Sequence, residues 1–348
     1  YALFFPLVDL VATIALGLVI WFGGLNAMQG TLTLGVLIAF IQYARQFFEP
    51  IRNLSDQFNT LQSAMAGAER IFDLLDSDLS ISEEESPVDF KTVDGRIEFR
   101  NVWFSYDPKI DSEDDEADWI LRDVSFSVNP GQSLAIVGAT GAGKSTVINL
   151  LLRFYDIQRG SILVDGVDIT SISLADLRSH IGLVLQDVFL FSGTIRDNIT
   201  LRNDEITDER MKRAAASIGA SAFIERFSAQ YDYEVRERGM SLSHGQRQLL
   251  SFVRALVYAP RILVLDEATS SVDTETEEAI QNALERLMKD RTSVAIAHRL
   301  STIQHADKIL VMHRGQVRES GSHQELISQD GLYRKLYELQ YQEQKALA

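Results

Sequence analysis

The amino-acid sequence predicts an α/β domain that follows an all-α, apolar N-terminal segment. Short apolar strands alternate with helical periods between residues 96 and 346, a glycine-rich turn joins a strand to a helix near residue 138, and charged residues become frequent only after residue 48. Such alternation predicts a mainly parallel sheet flanked by helices, with an antiparallel β portion before it and a helical insertion within it.

The glycine-rich turn is the feature around which the other motifs are arranged. The run Ser133-Leu134-Ala135-Ile136-Val137 precedes Gly138-Ala139-Thr140-Gly141-Ala142-Gly143-Lys144-Ser145-Thr146. A strand that turns into a helix here directs backbone N–H groups and the helix dipole at one volume, which suits a polyphosphate. The glycines allow close backbone approach, Lys144 can reach the β- and γ-phosphates, and Ser145 can bind Mg²⁺. The pattern is a P-loop, or Walker A motif; an ordinary glycine-rich turn is the alternative.

Length and composition exclude several classes of protein. The 348 residues suffice for about two domains, and a net charge of −16 argues against a nucleic-acid-binding surface. The chain has no cysteine, which excludes disulfides and thiolate metal sites. It begins at Tyr1 with an apolar run and no methionine, so we expect it to be the C-terminal piece of a longer protein.

The first 48 residues carry two charges, Asp9 and Arg45. The segment from Tyr1 to Phe22 is long enough to cross a membrane as a helix, although a buried helix of a soluble protein has the same composition. An uncharged stretch, Gly23 to Gly30, predicts an external loop before a second, more polar span from Thr31 to Phe48.

The next segment, from Pro50 to about Leu75, has apolar residues every three or four positions, and predicts a helical stalk that continues the second span. Arg45 and Arg52 place this end in the cytoplasm. The Ser-, Asp- and Glu-rich stretch that follows predicts a linker. The predicted organisation is therefore a partial membrane domain with its stalk at 1–75, a linker at 76–94 and a soluble domain at 95–348.

The soluble domain contains an acidic run from Asp111 to Asp118, with six acidic residues of eight, which we interpret as a solvated loop with partner docking as the alternative. The strands are predicted at Arg96–Phe104, Trp119–Val128, 133–137, Ser161–Val164, Ile181–Leu185, Ile262–Leu265, Ser293–Ala297 and Lys308–His313. Helical periodicity predicts a helix after the P-loop to about Phe154, a helical region from Asp187 to Tyr258, a helix from Thr274 to Met288 and a closing helix from Gly331 to Ala346.

A second chemical motif is Ile262-Leu263-Val264-Leu265-Asp266-Glu267, an apolar strand that ends in two carboxylates. The carboxyl ends of parallel strands form the crevice where α/β sheets bind ligands. We expect Asp266 to hold Mg²⁺ or its water. Glu267 is placed to orient or deprotonate the water that attacks the γ-phosphate.

Five further motifs follow in the order found in ATP-binding cassette (ABC) transporters, which the chain resembles over nearly its whole length. The most specific of them is Leu242-Ser243-His244-Gly245-Gln246, which is similar to the ABC signature. The others resemble the A-loop aromatic at Tyr106, the Q-loop at Gln186, the D-loop at Ser270-Ser271-Val272-Asp273 and the switch histidine at His298. With the apolar segments and the stalk, the chain is similar to a type IV exporter half-transporter from its fifth transmembrane helix onward.

This resemblance implies ATP and Mg²⁺ as cofactors and a role for each motif. Tyr106 stacks on adenine, Gln186 contacts Mg²⁺ and the attacking water, and His298 donates a hydrogen bond to the γ-phosphate. The resemblance also places Asp273 in the nucleotide site. It implies a multi-pass protein of the cell membrane, by analogy bacterial, with its nucleotide-binding domain in the cytoplasm.

The signature residues Ser243, Gly245 and Gln246 open a helix, and the resemblance implies that they contact the nucleotide held by an opposing subunit. The family has a glycine where this chain has His244, which we expect to weaken that contact. Because the Walker residues are intact, we expect a heterodimer in which a partner half-transporter supplies a standard signature, similar to heterodimeric bacterial multidrug exporters. A homodimer that tolerates histidine is the alternative.

The resemblance favours export of hydrophobic compounds, drugs in particular, from the cytoplasm or the inner leaflet, with ATP sandwiched between two nucleotide-binding domains. A homodimeric lipid or peptide exporter is the alternative. A soluble ABC ATPase acting on nucleic acid or ribosomes would lack the apolar spans and carry a basic surface. An importer normally keeps its cassette on a separate chain, whereas here span, stalk and cassette are continuous.

Overall fold

A computed structural model of the chain describes residues 4–76, 81, 83–84, 86–107, 118–185, 187–236, 239–266, 274–297 and 300–347. The chain divides into two compact units, Tyr1–Leu79 and Ser80–Ala348. The acidic run predicted as a solvated loop lies outside the described residues except for Asp118.

The first unit consists of helices α1 (Phe4–Met28) and α2 (Leu34–Leu75). Within the described residues, Pro6–Met28 is long and apolar enough to cross a membrane, whereas the apolar stretch Leu34–Phe47 is shorter than a full span. Helix α2 is 42 residues long and runs through Pro50, so the second apolar segment and the stalk form one helix.

The external loop predicted over Gly23 to Gly30 is wrong in extent, because α1 continues to Met28. Two contacts explain the difference. The Asn26 amide donates to the carbonyl of Phe22 one turn earlier, at 2.9 Å, so this polar residue is accommodated within the helix. A Cβ at Gly23 would collide with Leu37 of α2, which shows that this glycine permits close packing between the helices.

The second unit contains two main sheets and their flanking helices. Its strands are β1 (Ile97–Phe104), β2 (Leu121–Val128), β3 (Ser133–Val137), β4 (Arg159–Val164), β5 (Val167–Asp168), β6 (Ile181–Val184), β7 (Gly193–Thr194), β8 (Glu234–Val235), β9 (Ile262–Asp266), β10 (Thr292–Ile296), β11 (Lys308–His313) and β12 (Gln316–Gly321). Its helices are α3 (Lys144–Leu151), α4 (Leu174–Ser179), α5 (Ile195–Thr200), α6 (Asp208–Ser217), α7 (Ser221–Ile224), α8 (His244–Val257), α9 (Thr274–Met288), α10 (Leu300–His305), α11 (His323–Ser328) and α12 (Leu332–Leu347).

The larger sheet has six strands in the order β12-β11-β3-β10-β9-β6. All its neighbours are parallel except β11 and β12. The smaller sheet is antiparallel, with the order β2-β1-β4-β5. The predicted arrangement of a mainly parallel sheet, an antiparallel β portion and a helical insertion is therefore confirmed.

Buried side chains of the described residues form three clusters. One lies between the two sheets and includes α3, a second joins the helical insertion to β9 and α9, and a third packs the C-terminal helices against β3 and β11. The P-loop strand β3 contributes to the first and third clusters, so side chains pack against both of its faces. Burial on both faces fixes the position of the strand end from which the P-loop departs.

The end of the predicted linker belongs to the second unit. Phe90 and Val93 are buried in the cluster between the sheets. The Asp165 carboxylate accepts hydrogen bonds from the backbone N–H groups of Gly95 and Arg96, the latter at 2.7 Å. Two isolated apolar residues in a polar stretch produce no periodicity, which is why the sequence indicated a linker up to residue 94.

Candidate nucleotide-binding site

The P-loop departs from β3, in the interior of the larger sheet. At its first residue, Gly138, a Cβ would collide with the carbonyl oxygen of Met312 on the neighbouring strand β11. Gly141 and Gly143 have φ values of 79° and 97°, in the left-handed region that side chains disfavour. The turn therefore requires glycine for two separate reasons: a close backbone approach at its start, and left-handed backbone further along.

The loop and the start of α3 each contain both exposed and buried side chains. Thr140 and Ser145 are exposed, whereas Ala142 and Thr146 are buried and anchor the loop to the domain. Gly143 is the N-cap of α3 and has no side chain to cap the first turn. The first turn of α3 therefore has no side-chain cap on its backbone N–H groups and has Ser145 exposed beside them, which suits anion binding at a helix N-terminus.

Lys144 lies across the loop and is 8% exposed. Its ammonium group donates to the carbonyl oxygens of Gly138 at 2.9 Å and Ala139 at 3.1 Å. Burial lowers the pKa of Lys144, and the negative charge of Asp266 opposes that shift. Further negative charge, which a polyphosphate supplies, would stabilise the charged form of this buried ammonium group.

Asp266 is the last residue of β9, but β9 is not adjacent to the P-loop strand. Strand β10 lies between them, with Ile296 opposite both Ile136 of β3 and Asp266 of β9. Asp266 is therefore level with the end of β3 at a distance of two strand spacings, about 10 Å. Asp266 and the P-loop therefore lie at the same edge of the sheet, and the charge of Asp266 is close enough to act on Lys144.

Tyr106 is brought to the P-loop helix from another sheet. Its hydroxyl lies 3.2 Å from the hydroxyl of Thr146, and its ring packs edge-on against Phe104 and Tyr155 with centroid distances of 4.8 and 5.0 Å. The side chain remains 46% exposed. A fixed, half-exposed aromatic ring beside the P-loop is suited to stack on a nucleotide base.

Asn149 was not predicted as a site residue. Its amide donates to the hydroxyl of Tyr106 at 3.4 Å. It lies three residues after Thr146 on the same helix, so the two side chains share a face of α3. That spacing is a signal in the sequence, but it becomes useful only once Tyr106 is known to lie against this helix.

The signature residues lie at the N-terminus of α8 in the helical insertion. Ser243 and Gln246 form a reciprocal cap, in which the Ser243 hydroxyl accepts from the Gln246 N–H at 3.2 Å and the Gln246 side chain accepts from the Ser243 N–H at 3.0 Å. His244 is the first helical residue and Gly245 is buried. In the described part of the chain, no hydrogen bond joins these residues to the P-loop.

Four predicted site residues, Gln186, Glu267, Asp273 and His298, lie outside the described residues. The strands that precede three of them in the sequence are β6, β9 and β10, which are neighbours in the parallel sheet. These strands end at Val184, Asp266 and Ile296, on the same edge of the sheet as the P-loop. The roles of the four residues remain predictions.

Strand order, P-loop and helical insertion together define a P-loop nucleotide-binding domain. Residues 121–270 match the family model for ABC transporters. The chain therefore contains an ABC transporter nucleotide-binding domain.

Comparisons with single proteins match nearly the whole chain, so the similarity extends into the apolar segment. The chain is 43% identical over 98% of its length to a probable multidrug resistance ABC transporter ATP-binding/permease protein of Bacillus subtilis, of which it covers 50%. It is 47% identical over 89% of its length to a fatty acid ABC transporter ATP-binding/permease protein of Mycobacterium bovis, of which it covers 48%.

A solved structure, that of a bacterial Atm1-family ABC exporter with ATP bound, is similar with a TM-score of 0.70 and 37% identity. This similarity covers 96% of the chain and 56% of the solved chain. The chain spans about half the length of the curated relatives it matches.

We predict that Lys144→Ala weakens nucleotide binding about tenfold or more, because it removes the charged donor that lies inside the loop. A nucleotide displacement titration on the complete protein measures the effect. Lys289→Ala removes an exposed lysine at the end of α9 and serves as the control. Unchanged affinity in the Lys144 variant would contradict the assignment of the P-loop as a phosphate cradle.

Proposed function

We propose that this chain is the C-terminal part of an ATP-hydrolysing subunit of a membrane ABC exporter, with its soluble unit in the cytoplasm. The observation that carries the proposal is the assembled P-loop, in which the Lys144 ammonium group bonds to the loop carbonyls and the Tyr106 hydroxyl lies 3.2 Å from Thr146 of the helix that the loop opens. The apolar helix Pro6–Met28 on the same chain supports a membrane location. The names of the similar ATP-binding/permease proteins and of the similar exporter structure agree with this reading.

The arrangement of oxygen ligands fits Mg²⁺. The Ser145 hydroxyl is exposed at the start of α3, and Asp266 ends a strand that points to the same edge of the sheet. Hydroxyl, carboxylate and phosphate oxygens are the ligands that Mg²⁺ prefers. In this proposal Ser145, Asp266 and Gln186 would hold the ion, which when bound would supply positive charge that neutralises the phosphates.

Hydrolysis itself is assigned to residues that follow the strand ends. Glu267 orients the attacking water and accepts its proton, and His298 donates a hydrogen bond to the γ-phosphate. Tyr106 holds the base by stacking, and Gly138 with Thr140 to Thr146 surrounds the phosphates. Asp273 completes the nucleotide site in this assignment.

We predict that Glu267→Gln retains ATP binding and loses nearly all turnover, because the carboxylate that activates water is lost while the phosphate cradle remains. Paired measurements of ATP affinity and steady-state ATPase activity on the complete protein test this. Glu285→Gln, a change at an exposed residue of α9, is the matched control. Near-normal turnover in Glu267→Gln would remove this residue from the catalytic role.

The second half of the nucleotide site is supplied by another subunit in this proposal. Ser243, Gly245 and Gln246 form a helix N-terminus with exposed Ser243, which suits an anion, and among the described residues they make no hydrogen bond to this chain's own P-loop. His244 stands at the first position of that helix, where a side chain crowds the approach of phosphate. We therefore favour a heterodimer in which the partner half-transporter contributes a glycine-containing signature to this chain's intact Walker site.

The heterodimer predicts that the full-length version of this chain, purified alone, has little ATPase activity. Co-expression with its partner should restore activity. Strong, drug-stimulated activity of the isolated full-length chain would instead establish a homodimer that tolerates histidine. Replacing His244 by glycine in the isolated chain is the matched test, since it should raise activity if two identical chains can pair.

The proposed cargo is a hydrophobic small molecule, drugs being favoured over lipids and peptides by the resemblance to multidrug exporters. The similar proteins include one named for multidrug resistance and one named for fatty acids, so both classes belong in a test panel. Stimulation of the ATPase activity of the complete assembly by such a panel would identify the class. A soluble ABC ATPase acting on nucleic acid is disfavoured by the apolar helix and the net charge of −16.

A further inference from the structure

Tyr106, the residue proposed to stack on the base, follows Ser105, which lies just beyond the last paired residues of β1. The last paired residues at this end of β1 are Trp103, opposite Arg159 of β4, and Phe104, opposite Leu121 of β2. The next residue, Ser105, is only 5% exposed. A buried backbone N–H and C=O beyond both ladders require other hydrogen-bond partners.

Gln158 supplies both partners with a single side chain. Its amide oxygen accepts from the Ser105 N–H at 3.1 Å, and its amide nitrogen donates to the Ser105 carbonyl at 2.9 Å. Its own backbone N–H donates to the carbonyl of Trp103 at 3.3 Å. The side-chain amide therefore acts as an additional peptide group, which extends the pairing between β4 and β1 by one step.

This pairing fixes the chain where it would otherwise be held on one side only. On the β2 side, the Ser105 hydroxyl donates to the Asp118 carbonyl at 3.3 Å and the Ile120 N–H donates to the Phe104 carbonyl at 2.8 Å. Gln158 approaches from the opposite side, that of β4, and so restrains the backbone immediately before Tyr106.

The neighbouring residue strengthens the position of Gln158. The guanidinium group of Arg159 lies 5.0 Å from the ring centre of Trp103 and 5.2 Å from that of Trp119. The two indole rings contact each other edge-on at 5.5 Å. This cation–π stack joins β4 to Trp103 of β1 and to Trp119 before β2, and it keeps Gln158 in register with Ser105.

We propose that Gln158 is a positioning residue that sets the orientation of the Tyr106 ring and thereby controls affinity for the base of the nucleotide, not for its phosphates. The proposal rests on the proposed function, in which Tyr106 stacks on adenine. The phosphate cradle is built from separate contacts, because Lys144 bonds to Gly138 and Ala139 while Gln158 bonds to the end of β1.

The test compares a ligand that has a base with one that does not. In the complete protein with its partner, Mg-ATP and magnesium tripolyphosphate compete against photolabelling of this chain by 8-azido-ATP. We expect Gln158→Ala to raise the inhibition constant of ATP about fivefold and to leave that of tripolyphosphate unchanged. Gln132→Ala is the matched control, because its side-chain oxygen accepts from the Asn129 N–H at 3.0 Å in a turn before β3, and it should change neither constant.

A double variant separates positioning from a general loss of structure. Tyr106→Ala should weaken ATP about tenfold, and adding Gln158→Ala should cause no further loss, since Gln158 acts through the missing ring. Gln158→Glu keeps an acceptor for the Ser105 N–H but places a carboxylate oxygen against the Ser105 carbonyl, so it should weaken ATP at least as much as Gln158→Ala and leave tripolyphosphate unchanged. If Gln158→Ala fails to fold, Gln158→Glu decides the question.

The contradicting results are specific. Unchanged ATP affinity in the Gln158 variants, equal weakening of ATP and tripolyphosphate, or additive losses in the double variant would each overturn the positioning role. Failure of the proposed function gives a different result: labelling of the unmodified chain would then not be prevented by ATP at all.

Discussion

The contact between the start of the P-loop and its neighbouring strand constrains the rest of the nucleotide site. Gly138 passes so close to the Met312 carbonyl that no Cβ fits between them. This approach turns the chain sharply out of β3, and the left-handed residues Gly141 and Gly143 then turn it into α3. Lys144, the first residue of α3, thereby lies against the loop, where its ammonium group donates to the carbonyls of Gly138 and Ala139.

The parallel sheet brings further residues to the edge from which the P-loop departs. Because β3, β10, β9 and β6 are parallel neighbours, the residues that follow each strand are presented at one edge. Asp266 is two strands away from the P-loop strand, about 10 Å, and ends level with it at the same edge. The ring proposed to bind the base is positioned by another structure, the antiparallel sheet, whose strand β1 leads to Tyr106. In the proposed function, phosphate and base are thus bound from different sheets, which meet where Tyr106 contacts Thr146 and Asn149 of α3.

The sequence was informative where the chemistry is local and contiguous. The P-loop, the strand ending in Asp266 and the helix capped by Ser243 are each specified by a few adjacent residues, and the predicted strands end within two residues of those in the structure. Contacts that depend on sheet order could not be predicted: β10 between β9 and β3, edge strand β12, and the pairing of Gln158 with Ser105. The extent of α1 was misjudged because Gly23 and Gly24 suggest a turn, although Gly23 serves packing against Leu37.

The central claim is that a nucleotide is held by this chain's P-loop and closed by the signature helix of a second chain. The most direct measurement is a structure of the complete ATP-bound assembly. The account predicts that the triphosphate lies along Gly138 to Thr146, with adenine on Tyr106 and a signature helix from the opposing subunit facing the γ-phosphate. A triphosphate enclosed by one polypeptide, or bound away from the P-loop, would contradict it.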